Sequence, residues 1–222
     1  MANFSLETAT ISDTNELGQL MALAHKNDPI QRNLLPFALR ERLLERQDSD
    51  KLFSSKIVAF AKVRYPGPED SKGDFEGEPP EGTDMQTLVH WFEQMDAYHA
   101  KHASYEKDYC IPSSPPSALF PKAAHPKLHI SITNCHIPDL NVLCVHPSYQ
   151  RLGLGKMLLT RFLVDADKEH ARVYLQATEL GHPLYLKCGW VDIEDMVTQT
   201  PEGPVVWKCM MREPGAGATG MI

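Results

Sequence analysis

The chain has 222 residues, 42% of them hydrophobic, and a formal net charge of -7, enough for one well-packed domain over residues 1–222 with an insertion, while two full domains would be cramped. The acidic balance argues against nucleic-acid binding, which needs a basic face. Five cysteines without CxxC spacing point to reduced thiols in a cytoplasmic or nuclear compartment, and the lack of a basic start, an apolar leader or a run of about 18 apolar residues argues against secretion and membrane spanning.

Phe4 to Ile11 alternates as a strand, and Asp13 with Glu16 makes a capping box for a helix to about His25 whose stripe is Leu17, Leu20, Met21 and Ala24. A second helix is expected from Pro36 to Gln47, burying Leu39 and Leu43, and a strand from Lys56 to Arg64. Residues 66–126 read as an insertion. It opens with PGPEDSKGDFEGEPPEG, a Pro, Gly and acidic loop that cannot bury a core, and closes with an irregular proline-rich stretch over Ser113 to Pro126. Between them Thr83 and Gln86 form another capping box, before a helix with Leu88, Val89, Phe92 and Met95 on its apolar side. Lys127 to Thr133 alternates as a strand, and another is expected near Val205.

The stretch LNVLCVHPSYQRLGLGK, Leu140 to Lys156, carries the strongest signal. Its apolar run suits a strand covered on both faces, Pro147 ends it, and a helical pattern begins with Met157, Leu158, Phe162 and Leu163. Between strand and helix stand Gln150, Arg151, Leu152, Gly153, Leu154, Gly155 and Lys156. Two glycines let backbone N–H groups turn inward beside the positive end of a helix, a cradle suited to a pyrophosphate. The P-loop pattern fails, since Gln150 stands where its first glycine belongs and Met157 follows Lys156; the dinucleotide pattern GxGxxG fails at Leu158.

A second buried strand, Val173 to Ala177, precedes Gly181, His182, Pro183, Leu184, Tyr185, Leu186, Lys187, Cys188, Gly189 and Trp190. From Leu140 to Trp190 the chain resembles the core of the GNAT superfamily of N-acetyltransferases, in its V-x-P-x-x-Q/R-x-x-G-x-G turn and its L-Y-x-x-x-G-F/W segment. VHPSYQRLGLGKMLL, VDADKEH, YLQAT and PLYLKCGW more narrowly resemble fungal members. The resemblance implies a mixed, mostly antiparallel twisted sheet flanked by helices, the GNAT acyl-CoA N-acyltransferase fold, with acetyl-CoA as cosubstrate lying where two central strands part. It implies transfer of the acetyl group to the amine of a small molecule or peptide, with no metal.

On that resemblance, amides from Arg151 to Lys156 and the side chains of Gln150 and Arg151 would hold the coenzyme A pyrophosphate. The main chain of Leu143, Cys144 and Val145 would pair with the pantetheine arm, and a backbone N–H near Val145 would face the thioester oxygen. Tyr185 matches in position a phenol that protonates the leaving thiolate; read as chemistry alone it is equally an amphipathic core residue. The base is open among Glu179, Asp139, His136, His146 and a water chain. Asn141 stands where relatives often carry an acid, and Thr178 where many have an asparagine that contacts the cofactor. Cys144 and Cys188 read as small buried apolar residues, Trp91 and Trp190 as packing, and His90, His99 and His102 lack the spacing of a zinc site. A different class is also open: a coenzyme A-binding regulatory or interaction protein with weak turnover or none.

Overall fold

The computed structural model describes residues 4–9, 11–34, 57–63, 82–104, 107–111, 127–132 and 142–216. The strands are β1 (Leu6–Thr8), β2 (Ile57–Val63), β3 (Tyr109–Ile111), β4 (Lys127–Ile132), β5 (Leu143–Val145), β6 (Val173–Ala177), β7 (Val191–Thr200) and β8 (Gly203–Arg212). The α-helices are α1 (Thr14–Ala24), α2 (Pro29–Leu34), α3 (Met85–His102), α4 (Leu154–Lys168) and α5 (His182–Lys187). One four-stranded sheet runs β1-β4-β2-β5 and the other β3-β6-β8-β7. Both are mixed, and the longest ladder is the antiparallel β7–β8 hairpin. This is the mixed α/β class expected, with the two motif-bearing strands, β5 and β6, in separate sheets.

Helix α4 braces the two sheets from one side. Its first turns place Leu154 and Leu158 against Val58, Ala59 and Ala61 of β2, while Leu159, Phe162, Leu163 and Ala166 pack on Val173, Leu175 and Ala177 of β6 and on Trp190. The opposite faces are covered separately. Helix α1 sets Leu20 and Met21 against Ile57, Phe60 and Cys144. Helix α3 sets Leu88, Trp91 and Met95 against Tyr174, Met196, Trp207 and Cys209. All five residues of β6 are buried, as its continuous apolar run requires.

Several local expectations change. The first strand is limited to Leu6–Thr8, and a 3-10 turn, Ile11–Asp13, leads into α1. Asp13 makes no side-chain cap there, and Glu16 accepts from the Ile57 amide at 2.9 Å, a bond that ties α1 to β2. The N-cap of α3 is Asp84, which accepts from the Thr87 amide at 3.1 Å and its hydroxyl at 2.6 Å. Val89 is exposed and Trp91 takes the core position, since the buried line Leu88, Trp91, Met95, His99 keeps helical spacing. Strand β7, unanticipated, pairs with β8 as a hairpin. The helix expected at 36–47 and the two irregular stretches of the insertion lie outside the described residues.

Arginine 212 is fully buried at the far end of β8. Its guanidinium donates to both Asp167 oxygens, at 2.7 and 3.0 Å, and to the Cys188 carbonyl at 3.1 Å, and it lies over the Trp190 ring. This clamp joins the end of α4, the end of α5 and β8 behind the motif-bearing region.

Candidate active site

Among the described residues strand β5 is the edge of its sheet, with β2 as its strand partner. The His146 amide donates to the Val58 carbonyl and the Lys62 amide to the Val142 carbonyl, both at 2.8 Å. In an antiparallel ladder this register turns the main chain of Cys144 toward β2 and that of Leu143 and Val145 toward the open edge. The Cys144 side chain points to α1, those of Leu143 and Val145 to the α4 side. On the open edge, the Val145 carbonyl accepts from Gln150 Nε2 at 3.2 Å, so that side chain closes the turn onto the strand.

After β5 the backbone makes a 3-10 turn, Pro147–Tyr149, capped by His146 Nδ1, which accepts from the Ser148 amide at 3.2 Å. Burial holds the His146 imidazole below its usual range. Two left-handed residues follow, Arg151 at φ 65 and Gly153 at φ 84, the latter the N-cap of α4. Left-handed backbone at a non-glycine residue costs about 1–2 kcal/mol and is kept where the surroundings impose it. Such alternation gathers successive N–H groups into an anion-binding concavity, here at the positive end of a 15-residue helix.

A Cβ on Gly153 would meet nothing within 4 Å, leaving open space beside the turn. Gly155 is different: a Cβ there would come to 3.0 Å of Leu184 Cδ2 and 3.8 Å of Leu143 Cδ2 and Val145 Cγ2. Its missing side chain lets α4, β5 and α5 meet. Arg151, Leu152 and Lys156 are exposed around the concavity, Leu154 is buried, and a shallow groove lined by Gly153, Lys156, Met157 and Thr160 runs from it along α4. The left-handed pair at the N-terminus of α4 is the feature here suited to a diphosphate; the groove beside it is mostly apolar.

Tyr185, on α5, is buried beside β5, its ring edge-on to Trp190 at 5.6 Å. Burial drives its phenol ionisation far upward, and the nearby Cys144 and Cys188 thiols add to the rise. The phenol therefore keeps its proton at neutral pH. Thr178 Oγ1 accepts from the Gly181 amide at 3.2 Å, and its carbonyl accepts from the His182 amide at 2.9 Å, so Thr178 shapes the entry to α5. Glu179 is exposed in the same turn. Asp139, His136 and Asn141 lie outside the described residues.

The structure thus brings Leu143, Val145, the 150–156 turn and Tyr185 around β5 and α4, leaves Glu179 in water, and turns the Cys144 amide away. His99 and His102 serve packing and pairing: His99 is buried edge-on to Tyr174, and His102 stacks on Tyr174 while its Nε2 meets Glu194 at 2.7 Å. Among the described residues no cluster of three or more His, Cys, Asp or Glu could hold a metal, and no helix is long and apolar enough to cross a membrane. His25 was not singled out by sequence: it lies with its Nδ1 3.7 Å from Cys144 Sγ. Its only sequence signal was its place at the end of the first predicted helix.

Residues 127–192 match a family model described as the acetyltransferase (GNAT) domain. Among curated proteins none matches the chain. Solved structures similar to it include a protein titled as histone acetyltransferase HPA2 and related acetyltransferase from Corynebacterium glutamicum, 15% identical over 94% of each chain with a TM-score of 0.48. The ribosomal-protein-S18-alanine N-acetyltransferase from Escherichia coli is 21% identical over 36% of this chain and 56% of its own, TM-score 0.31. A GCN5-related N-acetyltransferase from Rhodopseudomonas palustris is 19% identical over 32% of this chain and 46% of its own, TM-score 0.29. The chain thus spans about half the length of the last two, and likenesses this loose carry no weight. The domain match supports acyl transfer from acetyl-CoA in general: over residues 127–192, with β5, the glycine turn and α5 inside its span, the chain resembles a GNAT acetyltransferase domain.

Proposed function

We propose that this protein transfers the acetyl group of acetyl-CoA to the amine of a small molecule or peptide. The observation that carries the reading is the pair of left-handed residues, Arg151 and Gly153, opening α4 directly after the edge strand β5. In this reading the amides of 151–156, with Arg151 and Lys156 at the rim, hold the diphosphate. The free edge at Leu143 and Val145 takes the pantetheine arm as an added strand, and the Val145 amide faces the thioester oxygen, where one such donor is worth about 3 kcal/mol. Acetyl-CoA supplies the activated acyl thioester. Tyr185 gives a proton to the departing sulfur, and Glu179, exposed at the entry to α5, passes protons to solvent. Thr178 contributes by holding the turn that presents Tyr185.

The three buried free thiols among the described residues, Cys144, Cys188 and Cys209, fit a reducing setting, cytoplasmic or nuclear. The likeness to fungal relatives rests on the segments quoted above, and residues 66–126 are read as an insertion within one domain.

The test is release of free CoA thiol on a panel of amines, run beside the melting temperature with and without acetyl-CoA. Turnover that Tyr185→Phe removes while keeping the thermal shift supports the reading. A thermal shift without turnover supports the regulatory alternative, and no shift removes both.

A further inference from the structure

The face of β5 opposite α4 holds a polar group that the acetyl-transfer reading does not use. His25, half-buried, is the C-cap of α1. Its Nδ1 lies 3.1 Å from the Met21 carbonyl and 3.7 Å from Cys144 Sγ. A carbonyl oxygen can only accept, so the short contact to Met21 requires the proton on Nδ1. The lone pair of the neutral ring is then on Nε2. The Cys144 thiol is almost fully buried, and burial opposes its ionisation, so a neutral thiol stands beside the ring. The carbonyl end of α1 is also where a positive charge is best tolerated when one forms.

Cys144 is the middle residue of β5, and it lies close enough to Tyr185 to oppose that phenol's ionisation. The strand at the candidate acyl site is therefore flanked by a phenol that holds its proton and by an imidazole with its tautomer set. We propose that His25 is the general base that deprotonates the acceptor ammonium. The inference rests on the acetyl-transfer reading and adds the residue which that reading lacked.

Two protons leave the ammonium. The first passes to His25 Nε2 before attack, giving an imidazolium whose Nδ1–H stays on the Met21 carbonyl. The amine nitrogen then forms its bond to the acyl carbon as the carbon–sulfur bond breaks, and Tyr185 protonates the sulfur. The second nitrogen proton, shed in that step, restores Tyr185 through solvent. His25 returns its proton to water, so each turnover releases one proton.

The test compares two classes of nucleophile. Ethanolamine, spermidine and alanine amide are largely protonated at neutral pH and need the base; hydroxylamine is already unprotonated and does not. His25→Gln, which can still donate to the Met21 carbonyl, and His25→Ala should lower kcat/KM for the alkylamines about 100-fold or more. Hydroxylamine transfer, after subtraction of the uncatalysed rate, should change less than about threefold, and acetyl-CoA should raise the melting temperature as in the wild type. Equal losses on both nucleophile classes, no loss on either, or wild-type transfer to hydroxylamine alone overturns the base assignment while acetyl transfer stands. Wild type that transfers to no probe overturns both.

Discussion

The two sides of the sheets are covered in different ways. On one side a single helix, α4, reaches across both sheets, with Leu154 and Leu158 on β2 and Phe162 and Leu163 against β6 and Trp190. On the other, α1 covers one sheet and α3 the other. A brace on one side keeps the two sheets in one body while β5 and β6 stay unpaired with each other. On the side with two separate covers, His25 meets Cys144 across 119 residues of sequence and Gln176 Nε2 donates to the Met95 carbonyl across 81.

The sharpest separation between the sides is chemical. Tyr185→Phe should lower kcat about 100-fold or more by removing the proton donor, with the fold and the acetyl-CoA thermal shift preserved. Next come the two covers. Phe162→Ala on α4 and Trp91→Ala on α3 should each cost about 3–5 kcal/mol of stability in denaturant titrations. Phe162→Ala should also shrink the acetyl-CoA thermal shift, because it loosens the brace behind the cradle, whereas Trp91→Ala should leave the shift in place. Equal shifts in the two variants would erase the distinction.

A smaller effect is expected at the turn. Gly153→Ala places a side chain at φ 84, where space is open but the backbone is strained, and should cost about 1–2 kcal/mol. The Asp167 clamp gives a pH signature. Burial raises its carboxyl, but the bonds from Arg212 and the Gly215 amide outweigh this and hold it below the ordinary range. A carboxyl depressed on folding adds stability that is complete above its unfolded value, about 3.9, and is lost as pH falls through the lower folded value. Asp167→Asn should flatten that acid limb of the melting curve. Trp91→Phe should cost less than Trp91→Ala: the buried indole N–H has no acceptor among the described residues, so its loss adds nothing to the cost of the cavity left by the smaller ring.

The α4 side was legible because its parts are local. The run Leu143 to Val145, the glycines at 153 and 155 and the stripe of α4 follow one another within one short stretch, and short-range rules of periodicity and turn chemistry apply. The other side joins distant segments. Glu16, read as half of a local capping box, accepts from the amide of Ile57 on a distant strand, a bond that only tertiary packing makes. Trp91 displaced Val89 because the helix turned its wider face to β8, which a stripe counted on the helix alone does not reveal. His25 looked like the end of a helix; its partner on β5 appears only in the folded chain. Arg212, in a strand expected only near Val205, gave no sign that it would be buried against Asp167.

Calorimetry with coenzyme A and with pantetheine, on wild type and on a Gly153→Val, Gly155→Val double variant, reaches the central claim most directly. Amides of the 151–156 turn that hold a diphosphate should give clear heat with coenzyme A, far weaker binding of pantetheine, which lacks that group, and loss of the difference in the variant. Coenzyme A and pantetheine binding alike, or no heat from folded wild type, would contradict it.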